Sequence, residues 1–331
     1  MSSHDQTMPL VTAVVICYNH ERFVVESLES VKAQDYSNLH LVVIDDCSKD
    51  GSVEVIRRWL DQFWPDAVFI AHKKNVGVCR TLNEALAHAK GKYIRLLAGD
   101  DRWAPHMLSR QVEFMEHLPE DVGVLYSDAY RMDESGELLP KMFIEFHRLF
   151  PKAPEEWIFD TLFEGNFIPA PTALIRLRCF EAVGTYDENL IFEDWDMWLR
   201  IARQFRFMYF PVPTAYYRIV STSMTNTLSA EMKDADHRIV VKCLRRGWLA
   251  GRAKDEAIWL EYLEACLAYR RRLPSRVGEA AWAFRHRPCI KHALLLSAVV
   301  GLLPYERFKR LIKLLTNMKH RAKRLVTNRA D

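Results

Sequence analysis

The 331-residue chain lacks the motifs by which common nucleotide-binding and hydrolytic folds are identified. Neither glycine-rich phosphate loop, GxGxxG or GxxxxGKS/T, occurs in it, and the GxSxG turn that carries a nucleophilic serine is also missing. These absences argue against a dehydrogenase, a P-loop nucleoside triphosphatase and an α/β-hydrolase. A nucleotidyltransferase would need a glycine-rich, basic loop after the first strand, where this chain has YNHERF.

Cysteine pairs and long apolar runs are also missing. The seven cysteines form no CxxC pair and no zinc-ligand spacing, so they predict reduced thiols. The first ten residues are polar and form no secretory signal. The longest apolar run, 293–304, is shorter than the about 20 residues that span a bilayer. We therefore expect a cytoplasmic protein.

Charge is distributed unevenly, although the formal net charge is only +3. Residues 232–331 contain 23 Lys and Arg against 9 Asp and Glu, whereas 1–231 contain 23 against 34. This contrast predicts an acidic domain over 1–230 and a basic helical extension over 231–331. The extension either lies on the anionic inner face of the cell membrane or packs on the domain with its cations solvated. It matches no nucleic-acid-binding motif, so nucleic acid is not an expected partner.

Apolar, β-branched segments alternate with segments of helical periodicity. This alternation predicts an α/β, Rossmann-like fold with a mainly parallel sheet flanked by helices. The predicted strands cover Val11–Cys17, Leu39–Ile44, Val68–Ala71, Tyr93–Leu97 and Val122–Ser127. Residues 128–165 have an irregular pattern, and Glu193–Gln204 predict an amphipathic helix.

Polar side chains follow three of the predicted strands, at Tyr18–Asn19, Asp45–Asp46 and Asp100–Asp101. Ligands of parallel α/β sheets bind at the carboxyl ends of the strands, so this coincidence predicts a ligand site. Asp100–Asp101 offer hard oxygen ligands for Mg²⁺ or Mn²⁺ beside a diphosphate, or else cap the following helix. Asp45–Asp46 can accept a hydrogen bond from a base or ribose, or else start a turn in DCSKDGS.

A third acidic pair, Glu193–Asp194, begins the amphipathic helix. One of these carboxylates can act as general base toward an acceptor hydroxyl. The alternative is simple capping of the helix N-terminus, with Asp196 as one more surface acid. The adjoining Trp195 and Trp198 either form the wall of a sugar site or belong to the core.

From about residue 10 to 222 the chain resembles the family 2 glycosyltransferases of the GT-A fold. The resemblance rests on five motifs in one order: VVICYNHERFVVESLESVKAQDY, LVVIDDCSKDGS, NVGVCRTLNEALAHAKGKYI, LAGDD and FEDWDMWLRIA. It implies an inverting transferase that takes a sugar from a nucleotide-diphosphate donor with help from a divalent metal. The expected donor is a UDP-sugar. The implied acceptor is a glycan or a lipid-linked saccharide of cell-surface polysaccharide synthesis.

The resemblance also implies a nucleotide site. Tyr18 and Asn19 match residues that pack on the base. Asp46, with Asp45 beside it, matches the aspartate that binds a uracil-type base. Arg80 lies in the segment near the base and the diphosphate.

The remaining matches concern the chemistry. Asp101 matches the metal-binding aspartate and Asp100 the one that binds ribose, while Asp194 matches the catalytic base and Glu193 lies in the acceptor site. Val220 stands where the family often has a metal-binding histidine, so the metal is expected to depend on Asp101 and the diphosphate. The resemblance leaves open an inactive sugar-nucleotide-binding or scaffolding protein of the same fold.

Overall fold

The computed structural model describes residues 8–250, apart from residues 149, 151, 222, 224–226 and 228. The chain divides into two compact units, 1–235 and 236–331, and the second is described only as far as residue 250. Most of the predicted basic extension, with its proposed membrane contact, therefore lies outside the described residues. Within the described residues, no helix is both long enough and apolar enough to cross a membrane.

Seven strands form the main sheet: β1 (Val11–Cys17), β2 (Leu39–Asp45), β3 (Val68–Ala71), β4 (Tyr93–Ala98), β6 (Val122–Tyr126), β8 (Leu174–Arg176) and β9 (Arg206–Tyr209). Their order across the sheet is β3-β2-β1-β4-β8-β6-β9. Strand β8 runs antiparallel to β4 and β6, and the other four pairings are parallel. The mainly parallel sheet predicted from the sequence is confirmed.

A smaller sheet and nine helices complete the described fold. The small sheet has the order β5-β10-β7, from β5 (Arg102–Trp103), β10 (Ala215–Arg218) and β7 (Ala129–Met132). The helices are α1 (Val24–Lys32), α2 (Ser52–Phe63), α3 (Val78–His88), α4 (Leu108–Glu116), α5 (Phe143–His147), α6 (Phe159–Phe163), α7 (Arg178–Val183), α8 (Asp194–Ala202) and α9 (Ser229–Arg245). The prediction of an irregular segment over 128–165 is wrong in part, because these residues contain β7, α5 and α6. These elements are too short to give a periodic pattern.

The central strands are buried on both faces, as their continuous apolar sequence requires. Val14, Val15 and Val43 are fully buried, and Leu28 and Val31 of α1 pack at helical spacing into one core with Val15 and Val43. A close-packed centre of this kind holds the ends of the strands in fixed positions. The loops that leave β1, β2 and β4 therefore start from a rigid edge of the sheet.

Asp196 is not the surface acid that the alternative, helix-capping interpretation made it. Its carboxylate is buried and accepts a hydrogen bond from Arg200 Nε, one helical turn later, at 2.8 Å. The same guanidinium donates to the backbone carbonyls of 183–185. This buried pair ties α8 to the end of α7, and so fixes the start of α8, where Asp194 lies.

Candidate active site

The acidic pairs that follow β2 and β4 lie on either side of β1. The Asp46 N–H donates to the Cys17 carbonyl at 2.8 Å, and the Gly99 N–H donates to the Ile16 carbonyl at 2.7 Å. Each pair is thus held about one strand spacing, roughly 5 Å, from the end of β1. The structure brings together the three polar strand ends that the sequence singled out.

Asp46 is held by the segment that leads into α3. Its Oδ1 accepts hydrogen bonds from the Val76 N–H and from His72 Nδ1, and its Oδ2 accepts one from the Gly77 N–H, all at 2.8 Å. A carboxylate has about four acceptor positions. Three of them are therefore filled, and one on Oδ2 is left for a ligand. Gly77 has φ +88°, a backbone conformation that favours glycine.

His72 connects Asp46 to Glu84. Its Nδ1 lies 2.8 Å from Asp46 Oδ1 and its Nε2 lies 2.7 Å from Glu84 Oε2. Burial alone would lower the pKa of His72, but hydrogen bonds to the two carboxylates outweigh it and raise the pKa. The ring, held between two carboxylates, thus fixes the Asp46 carboxylate in place.

A shallow depression of about 440 Å³ opens beside His72. Lys73, Lys74 and Arg80 contribute to its lining, and the Arg80 Nε pairs with Glu188 Oε2 at 3.1 Å. Arg80 is exposed, as an arginine that contacts a ligand must be. The depression therefore carries three basic side chains and two acidic ones, Glu84 and Glu188, beside the histidine that contacts Asp46.

The loops after β1 and β2 are tied to each other. The Asn19 N–H donates to Ser48 Oγ at 2.8 Å, and Asn19 Oδ1 accepts from the Lys49 N–H at 2.7 Å. Asp45 is fully buried, and its Oδ1 accepts from the Ser48 N–H at 2.8 Å, which is the turn role considered for it from sequence. Tyr18 is 44% exposed, so its ring is accessible at this edge of the sheet.

The second aspartate of the pair after β4 is almost fully enclosed. Asp101 is 4% exposed, and its Oδ1 accepts from the Arg218 N–H at 2.8 Å. The Arg218 Nε donates to the Asp100 carbonyl at 2.8 Å, and its guanidinium also pairs with Glu26. Burial raises the pKa of Asp101 well above its usual value, and the charge of Asp100 raises it further, while Arg218 lowers it in part.

The pair Glu193–Asp194 reaches the same region through α3. The first turn of this helix contacts Asp46 through the Gly77 N–H, and Cys79 Sγ lies 3.6 Å from the Phe192 carbonyl. Asp46 and Glu193–Asp194 thus lie on two sides of one helix turn. Asp46 and the pair Glu193–Asp194 therefore both approach the start of α3.

Asn166 orients Asp194, a role that sequence reasoning missed. Its Nδ2 donates to Asp194 Oδ2 at 2.6 Å, and the Trp195 N–H donates to Asp194 Oδ1 at 2.6 Å. Both tryptophans of this helix belong to the core rather than to a sugar site, since Trp195 is 8% exposed and Trp198 is 2% exposed.

Comparison with known proteins identifies the family of the chain. The family model described as glycosyl transferase family 2 matches residues 12–181, just over half of the chain. The chain belongs to glycosyltransferase family 2. It is therefore a transferase enzyme, and the family expected from its motifs is confirmed.

Proteins similar to this glycosyltransferase include sequence relatives and solved structures, and the solved structures share its fold. An uncharacterized glycosyltransferase of Methanocaldococcus jannaschii is 29% identical over 210 residues, which cover 61% of this chain and 68% of that protein. The mannosyltransferase PcManGT from Pyrobaculum calidifontis, solved with GDP-Man and Mn²⁺, has a TM-score of 0.55 at 21% identity, over 91% of this chain and 83% of that one. S. aureus TarS 1-349 with UDP-GlcNAc has a TM-score of 0.57 at 15% identity, over 90% and 89% of the two chains.

The aspartate pair of the glycosyltransferase suits a divalent cation. Asp101 is a buried acid whose charge is opposed by its surroundings, and a cation would neutralise both it and Asp100. Carboxylate oxygens are the ligands that Mg²⁺ and Mn²⁺ prefer. No group of three or more His, Cys, Asp or Glu suited to a metal occurs among the described residues. A cation here would thus share this pair with oxygens of a ligand.

Glu193 of the glycosyltransferase should lower its stability at high pH. Burial, together with the charge of Asp194, raises the pKa of Glu193 from 4.5 to about 8. The unfolded chain therefore ionises Glu193 at lower pH than the folded chain does, and stability falls between about pH 4.5 and 8. In thermal denaturation, Glu193→Gln should match wild type at pH 4.5 and exceed it increasingly towards pH 8. Glu181→Gln, at an exposed position of α7, is the control, and parallel curves for Glu193→Gln would contradict the prediction.

Proposed function

We propose that this enzyme transfers a sugar with inversion from a UDP-sugar to a hydroxyl of a glycan or lipid-linked acceptor in cell-surface polysaccharide synthesis. The observation that carries the proposal is that hydrogen bonds to the end of β1 hold Asp46 on one side of this strand and Gly99, just before Asp100–Asp101, on the other. All of these residues lie within 1–230, which we propose as the catalytic domain. The neighbours solved with UDP-GlcNAc and with GDP-Man and Mn²⁺ support a nucleotide-sugar donor.

The base of the donor would bind at the end of β2. The acceptor position left on Asp46 Oδ2 suits a base with a single ring N–H, such as uracil, better than guanine, which presents adjacent donors. Tyr18 would stack on the base beside Asn19, and Arg80 would pair with the diphosphate. Asp45 would act mainly through the turn that it forms with Ser48.

The ribose and the diphosphate would lie toward the end of β4. Asp100 would accept a hydrogen bond from a ribose hydroxyl, and Asp101 would hold Mg²⁺ or Mn²⁺. When bound, the cation supplies positive charge that stabilises the leaving diphosphate. The Arg218 N–H holds Oδ1 of the buried Asp101 carboxylate, and Oδ2 would be the oxygen that contacts the metal.

The transfer itself would be a single displacement. Asp194 takes the proton of the acceptor hydroxyl while that oxygen bonds to the anomeric carbon, and the bond to the diphosphate oxygen breaks with its electron pair. Asn166 and the Trp195 N–H hold the Asp194 carboxylate in one orientation. Glu193 is mostly neutral at pH 7 because its pKa is about 8, and it can therefore donate a hydrogen bond to the acceptor.

Thermal shift with a panel of nucleotides tests the donor site. We expect UDP to stabilise the protein more than GDP does, and Mn²⁺ to increase the shift, because ligand binding to the folded state raises its stability. Release of UDP from a UDP-sugar should accompany transfer. Absence of a shift with every nucleoside diphosphate, with and without Mn²⁺, would contradict the proposal.

A further inference from the structure

His20 lies beside the aspartate pair, and none of the roles above uses its side chain. Its Nε2 is 3.7 Å from Asp100 Oδ2, which is too long for a hydrogen bond. Its Nδ1 is buried and has no hydrogen-bond partner in the part of the chain that the structure describes. The side chain is 23% exposed, so the ring has one enclosed nitrogen and one nitrogen near the ligand site.

The imidazole is held firmly in this position. The His20 N–H donates to Ser52 Oγ at 3.0 Å, and the His20 carbonyl accepts from the Phe23 and Val24 N–H groups at 2.9 Å. The ring packs over Gly99, where an added Cβ would lie 2.9 Å from Nδ1. Any larger residue at position 99 would therefore displace the ring.

The surroundings of the two nitrogens determine which of them carries the hydrogen in the neutral ring. Among the described residues Nδ1 lacks a partner in either tautomer, but a hydrogen on Nε2 faces the Asp100 carboxylate, whose oxygen would repel a lone pair at that nitrogen. The hydrogen therefore belongs on Nε2, and this nitrogen acts as a donor. A metal-binding histidine needs the opposite arrangement, with a lone pair on one nitrogen and a satisfied N–H on the other. His20 is thus built to contact an anion and not a cation.

We propose that the His20 Nε2–H donates a hydrogen bond to a diphosphate oxygen of the donor, next to Asp100. This role rests on the proposed function, since it needs a nucleotide diphosphate at the ends of β1 and β4. The bond strengthens as negative charge develops on the leaving group, so His20 supports both donor binding and departure of the diphosphate.

Calorimetric titration with UDP and with uridine, at constant Mn²⁺, tests this role. His20→Ala should weaken UDP binding by about 10–100-fold, because hydrogen bonds to charged groups are the strong ones. Binding of uridine should be unchanged, since it has no diphosphate. His20→Gln places an amide N–H at a similar reach and should recover most of the loss. His88→Ala, at an exposed site at the end of α3, should bind UDP like wild type.

Gly99→Ala provides a second test in which the imidazole remains. The new methyl group should push the ring aside and weaken UDP binding in the same way as His20→Ala, with thermal denaturation confirming that the variant is folded. UDP binding by His20→Ala at wild-type strength would overturn this role alone, as would equal losses for UDP and uridine. If His20→Ala loses Mn²⁺ binding in the absence of nucleotide, His20 is a metal ligand and the proposed role is overturned. Absence of UDP binding by wild type would overturn the proposed function as well.

Discussion

Replacement of Asp194 by asparagine is expected to lower kcat by about 10²–10⁴-fold, the usual contribution of a general base. Asparagine has nearly the same shape and can still accept a hydrogen bond from Asn166 or from the Trp195 N–H. It cannot take a proton from the acceptor hydroxyl. The affinity for UDP should therefore stay within about twofold of wild type, because Asp194 acts on the acceptor side.

Initial rates at saturating donor and acceptor, with UDP affinity measured separately, check this expectation. Asp160→Asn, at an exposed position of α6, is the matched control and should retain wild-type rates. A loss of less than tenfold for Asp194→Asn would remove Asp194 from the role of base. A wild-type protein that binds UDP but transfers no sugar would instead favour the inactive, nucleotide-binding alternative.

The main sheet could be predicted because the sequence of each central strand shows a recognisable apolar pattern. Segments such as Val11–Cys17 and Leu39–Asp45 are apolar on both faces, and burial between two helical layers demands this pattern. The small sheet could not be predicted in this way. Strand β5 has two residues, β7 has four, and their pairing with β10 joins positions far apart in the chain. Such pairing is set by tertiary packing, which leaves no periodic pattern in the sequence.

The acidic residues of the site were predictable for a similar reason. Asp46 and Asp101 directly follow buried strands, so the topology of a parallel sheet places them at one edge. Asn166 and His72 gave no such signal. The first is brought to Asp194 by the chain after α6, and the second reaches Asp46 across 26 positions. Their roles arise from contacts between distant segments and become visible only in the folded structure.

The same packing explains why Asp196 is buried, although the alternative interpretation made it a surface acid. Its position beside Asp194 at the start of an amphipathic helix suggests a solvated face, and helical spacing alone cannot distinguish the two acids. The difference is Arg200, which pairs with Asp196 one turn later and is itself held by the carbonyls at the end of α7. One acid thus fixes the helix, and its neighbour two positions earlier is the residue that we propose as the base.

Replacement of Asp101 by asparagine should have opposite effects on activity and on stability. Without a metal-binding carboxylate, kcat/KM is expected to fall by about 100-fold or more, because the charge stabilisation that a metal supplies is worth several kcal/mol. The unliganded variant should nevertheless be more stable than wild type at pH 7. Burial raises the pKa of Asp101 well above that of the unfolded chain, so stability is lost as pH rises above the unfolded value. Asparagine carries no charge to bury, and it keeps an oxygen for the Arg218 N–H.

Thermal denaturation with and without UDP and Mn²⁺ distinguishes this combination of lower activity and higher stability from simple damage to the fold. Each kcal/mol gained should raise the Tm of the unliganded variant by about 2–4 °C. With UDP and Mn²⁺ the order should reverse, since only wild type can use the cation to stabilise its buried carboxylate. Asp100→Asn is the control at the neighbouring, more exposed carboxylate, and it should shift the unliganded Tm less. If Asp101→Asn keeps its turnover, the metal binds elsewhere. If the unliganded variant is less stable than wild type, the carboxylate is needed for the fold. The buried acid would then serve only to hold β10 against the end of β4.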